Sequence, residues 1–115
     1  HALLSCRRIL ESVADSIFPA QNEPYTDKKG KNHDVAVNNY INRILAYLDK
    51  NSSSQTKTKL IVENLNHLAA RLEALNEESQ KGVHDIVTKD EARLTIIQMY
   101  LIISEIALIK KQNTC

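Results

Sequence analysis

The sequence predicts an all-α fold: an up-down antiparallel bundle of four main helices, at about 2–18, 35–50, 54–80 and 89–111, with an irregular loop at 19–34. Three observations predict it. Helix breakers are scarce, with 2 Gly and 2 Pro in 115 residues, while Leu, Ile and Ala are plentiful. Apolar residues recur at three-four spacing in four separate stretches. The connections after the second and third stretches are short, which favours antiparallel neighbours.

In the first stretch Leu3, Cys6, Leu10, Val13 and Ile17 form the stripe, with Arg7, Arg8, Glu11 and Asp15 off it. Phe18-Pro19 ends it, because a residue before proline avoids helical angles. Residues 19–34 carry Pro24, Gly30 and the cluster Lys28, Lys29, Lys31 with no surviving period, and read as an exposed polar loop. The second stretch runs from Val35 to Lys50, with Val37, Ile41, Ile44 and Leu48 on one face and Asp34 as expected N-cap. Tyr40 and Tyr47 flank that face. Asn51-Ser-Ser-Ser is the next turn. The third stretch has a heptad-like seam of Ile61, Leu65, Leu68, Leu72 and Leu75, and Gly82 is placed to stop it.

The fourth stretch follows Thr88-Lys-Asp-Glu91, which has the residues of a capping box. It is the most apolar of the four, broken between Leu94 and Ile109 only by Thr95, Gln98, Ser104 and Glu105. Those polar interruptions argue against a transmembrane span, so the expectation is a central helix covered on most sides by the other three, with no membrane partner. Lys110 and Lys111 suit its C-terminal dipole.

The length fits a single domain. The chain opens at His1 inside an apparent helix, so a fragment of a longer protein is expected. No signal peptide is visible, and the expected location is cytoplasmic. Net charge is +1, from 15 basic and 14 acidic residues, which argues against strong non-specific nucleic-acid binding but leaves room for a local patch. Cys6 sits on an apolar stripe and reads as a buried thiol. A Cys6–Cys115 bridge would instead suit a secreted bundle of cytokine type.

His1, His33, His67 and His84 are scattered without any HxxxH, HExxH or CxxC spacing, so no metal site is expected. Glu63 and His67, one turn apart, read as a surface pair. Two glycines cannot build a phosphate cradle, and no cofactor is expected. Metal-independent RNA cleavage is the enzyme reading with content. It would use His84 for proton transfer, with Lys81, Arg93, Arg7 and Arg8 as cations for phosphate. Against it stands a His84 that merely packs in its turn.

Four segments carry a family resemblance: Ala2-Leu-Leu-Ser-Cys-Arg-Arg-Ile-Leu-Glu-Ser-Val-Ala-Asp, Asn39-Tyr-Ile-Asn-Arg-Ile, Lys81-Gly-Val-His-Asp-Ile-Val-Thr-Lys-Asp-Glu-Ala and Tyr100-Leu-Ile-Ile-Ser-Glu-Ile. Together they resemble prokaryotic HEPN-type helical domains, in the branch tied to abortive infection and antiviral (phage) defence. That resemblance implies a dimerising helical bundle, with RNA binding or metal-independent endoribonuclease activity through an Arg-x(4–6)-His motif. His84 matches the histidine, but Glu77, Glu78 and Ser79 occupy the positions for the arginine. A degenerate member of this kind is expected to pair with itself or with flanking domains of its own protein. The alternative is a non-enzymatic dimerisation or protein-interaction module.

Overall fold

A computed structural model describes the backbone of residues 2–80 and 86–112, and side chains within 5–75 and 89–111. Four helices make the fold: α1 (Ala2–Ile17), α2 (Tyr40–Asn51), α3 (Gln55–Gln80) and α4 (Ile86–Gln112). Between α1 and α2 lies a two-stranded antiparallel sheet, β1 (Tyr25–Thr26) and β2 (Asn32–His33), in which Tyr25 faces His33 and Thr26 faces Asn32. The all-α bundle expected from the pattern is the fold that forms.

The core follows the stripes. Leu10, Ile44, Leu48, Ile61, Leu65, Leu68, Ile102 and Ile109 are almost wholly withdrawn from solvent, each worth roughly 1.5–3 kcal/mol of burial. The α3 seam buries all of Ile61, Leu65, Leu68, Leu72 and Leu75, as its spacing predicts. In α1 the buried line is Cys6, Leu10 and Ala14, with Val13 and Ile17 packed at its edge. The final bond of that helix is Phe18 N–H to the Ala14 carbonyl (2.8 Å), immediately before Pro19. α3 and α4 form an antiparallel pair whose register is set by Gln98 Nε2 donating to the Asn64 carbonyl (3.3 Å) and by the Arg71–Glu91 ion pair (3.6 Å).

Two boundaries differ from expectation. α2 starts at Tyr40 rather than Val35, with Asn39 as N-cap, so Asp34 caps no helix. Its carboxylate instead accepts the Ala36 N–H (3.0 Å), a local turn that competes with helical bonding. Val35 meanwhile drops into the core, and Val37, expected on the buried face, stands outside the helix at 71% exposure. At the other end of the chain α4 already includes Ile86, so Thr88 lies inside the helix and cannot take the non-helical N-cap position of a capping box.

The 19–34 segment is more ordered than its composition suggests. Asp27 organises it: one carboxylate oxygen accepts the N–H groups of Lys29 and Lys31 (2.9 Å each), and the other lies 2.8 Å from His33 Nε2. The His33 contact, then the Lys31 amide, hold this carboxyl below its ordinary range. Gly30 turns the chain at φ +86°, a left-handed conformation natural to glycine. Tyr25 anchors the hairpin to the bundle, meeting Phe18 edge-on (centroids 5.7 Å) and donating its hydroxyl to Asp49 (2.7 Å).

Burial and then the Asp49 bond push the Tyr25 phenol up to about 12 from an ordinary value of 10. Its contribution to stability is therefore complete below pH 10 and is lost as pH rises towards about 12. Burial also raises Tyr40 and Tyr47. Tyr25→Phe is accordingly expected to flatten the alkaline loss of stability without abolishing it, measured as urea midpoints on either side of that window.

Candidate association face

α4 carries two seams of three-four spacing on opposite sides. The inward seam is Thr95, Met99, Ile102, Ile106 and Ile109, all buried. Thr95 can join it because its hydroxyl donates to the Glu91 carbonyl (2.7 Å), so no polar group is stranded. The outward seam is Leu94, Ile97, Leu101, Ser104 and Leu108, at 47%, 65%, 52% and 51% exposure for its four apolar members. Tyr100 borders it at 65%. Ser104 donates to the Tyr100 carbonyl (2.8 Å), so the one polar member of this seam has a partner within its own helix.

The expectation of a central helix covered on most sides is thus overturned: the bundle claims one side of α4 and leaves the other bare. The reason is the placement of its neighbours. α4 packs mainly against α3, less against α1 and least against α2, and these neighbours leave one side of an all-round apolar helix uncovered. By length and composition Lys89–Lys111 would also suffice to cross a bilayer, and only 28% of its apolar 18-residue window is buried.

From Leu94 to Leu108 the outward seam runs for about 21 Å at 1.5 Å per residue. The same spacing continues to Asp90 at its start and Lys111 at its end. The α3–α4 register places Leu60, 57% exposed, level with Ile102, which widens the apolar surface.

Of the residues expected to hold RNA, His84 and Lys81 lie outside the described residues, and the described Arg93 does not come together with Arg7 and Arg8. Arg93 is exposed beside Leu94. Arg7 is exposed and hydrogen-bonds Tyr40. Arg8 edges a groove of about 450 Å³ between α1 and α4, over Ile9, Val13, Ile103 and Ile106. Arg93 stands ten residues before Ile103, about 15 Å away along the helix, so it does not join the α1 arginines. Lys28 and Lys29 project from the hairpin tip, and His33 is engaged by Asp27.

His67 turns to Gln98 of α4 (3.3 Å) rather than to Glu63. Among the described residues no three His, Cys, Asp or Glu side chains converge as a metal site would require. Cys6 is buried, which raises its thiol pKa, and its expected alternative partner Cys115 lies outside the described residues.

One functional-looking residue was missed by pattern. Arg43 is 1% exposed, donating to Asp15 (2.7 Å) and to the carbonyls of Val37 (3.3 Å) and Phe18 (3.5 Å). Its place three after Tyr40 and four before Tyr47 was the available signal. All of its partners come from the structural join of α1 and α2, so it is a clamp rather than a site.

Comparison of the chain with protein-family models, with curated proteins and with solved structures finds no match in any of the three.

Proposed function

We propose that this chain is a HEPN-like helical self-association module that pairs with a second copy through the outer face of α4. The observation carrying this reading is the outward seam: Leu94, Ile97, Leu101 and Leu108, with Tyr100 beside them, all about half exposed or more. Together they present on the order of 500 Å² of apolar surface, at the upper end of what a monomer ordinarily shows. A standard interface buries about 800 Å² per partner, so this face with its rim suits a modest, micromolar dimer. The role is non-enzymatic: holding two copies of the chain together, in keeping with the abortive-infection resemblance.

Light scattering after size exclusion, across a concentration series, tests it. The expected result is a monomer–dimer equilibrium in the micromolar range, and a chain monomeric throughout overturns the reading. The same samples incubated with RNA in EDTA are expected to leave the RNA intact. Cleavage that stops on His84→Ala would replace the module with a metal-independent ribonuclease of the defence class.

A further inference from the structure

We infer that the groove between α1 and α4 is a binding site for a single-chain anionic amphiphile, of which a medium-chain fatty carboxylate is the simplest form. The groove holds about 450 Å³, within the range of small-molecule sites. α1 lines it with two rows that each step one helical turn at a time. Ile9, Val13 and Ile17 make an apolar row, and Arg8, Ser12 and Ser16 make a polar row beside it. Ile103 and Ile106 of α4 face the apolar row. Ile106 is buried, while Val13, Ile17 and Ile103 are half-buried against the core, so the floor is apolar and closed from below.

Charge decides the head group. Both charged residues of the lining, Arg8 and Lys110, are cationic, and among the described residues no carboxylate lines the groove. The nearby acids of α1 turn towards α2: Asp15 is taken by Arg43, and Glu11 lies by Tyr40. Arg8 stands at one end of the α1 rows and Ile17 at the other, about 13.5 Å apart at 1.5 Å per residue. A carboxylate in the fork of the Arg8 guanidinium, with the Ser12 hydroxyl one turn along as a second donor, leaves its alkyl chain lying over Val13 and Ile17. A nucleic-acid strand would leave the apolar row wet, and a neutral lipid would make no use of Arg8. The groove is also separate from the outward seam. At about 100° per residue, Ile103 and Lys110 lie roughly 160° and 180° round α4 from Leu101, so its occupation does not depend on self-association.

Decanoate, kept below its micelle-forming concentration, is the probe, and decanol is its uncharged control. Titration of the full chain, followed by amide chemical shifts, is expected to show saturable binding with the largest changes at Val13, Ile17, Ile103 and Ala107. Decanoate is expected to bind several-fold tighter than decanol, and Arg8→Gln to erase that difference without disturbing the fold, because Arg8 is exposed. Ile9→Glu, at another exposed position, should weaken decanoate several-fold by setting a carboxylate in the groove. No saturable binding, equal affinity for decanoate and decanol, or changes centred on Leu101 would each overturn the inference. Light scattering at saturating decanoate is expected to leave the oligomeric state unchanged, and loss of a dimer there would place the ligand on the association face and overturn it. A chain that is monomeric throughout yet binds decanoate as described would support the groove while removing the self-association reading.

Discussion

Arg43→Ala is expected to lower the unfolding free energy by roughly 3 kcal/mol, whereas Arg43→Met should cost far less. Two losses add in the alanine variant. The Arg43 stem is buried, so truncation opens a cavity where α1, α2 and the 35–39 segment join. The Phe18 and Val37 carbonyls also lose a donor. The ion pair itself contributes little of this, because Asp15 is 70% exposed and solvent screens it. The buried Nε finds no partner among the described residues, which already weakens the case for a charge here. A methionine fills the space and removes that orphan, while the two carbonyls still lose their donor. Urea denaturation of the two variants checks the ordering, and equal losses would mean that the charge, not the packing, is what matters.

The second large effect separates two neighbouring residues. Ile102→Ala, on the inward seam, should cost about 2–5 kcal/mol, a large part of the 5–15 kcal/mol typical of a whole domain. Leu101→Asp, one residue away on the outward seam, should change folding stability by no more than about 0.5 kcal/mol. It should nevertheless raise the dimer dissociation constant at least tenfold, since it buries an unpaired carboxylate at the centre of the contact. Denaturation at low concentration and light scattering at high concentration measure the two quantities separately. A Leu101→Asp chain that unfolds easily would mean this face is covered within its own bundle.

How much of this was legible beforehand depends on how many neighbours decide each residue. The Ile61–Leu75 seam was readable because a single period on one helix dictates burial. Asp34 and Thr88 misled for a common reason. Both have the right side chain for a cap, yet the chain around them had a second option: an Asx turn at Ala36 in one case and an earlier helical start in the other. The hairpin was hidden because only two residues in each strand pair, too few for alternation to show, and its order comes from Asp27 gathering Lys29, Lys31 and His33 and from Tyr25 reaching Asp49 on the next helix. α4 was the reverse problem. Its composition announced an apolar helix all round, but which side the bundle would claim depended on the placement of α1 and α3. The candidate site was therefore legible as residues and not as a surface.

The hairpin tip offers a practical use. Lys28, Lys29 and Gly30 are exposed, and the turn is closed by Asp27 rather than by the helices. A fluorescent label coupled to a cysteine in place of Lys28 would sit at the tip of a short ribbon anchored through Tyr25 to Phe18 and Asp49, with the Asp27 turn intact. The domain can be tracked or tethered there with its apolar face left free.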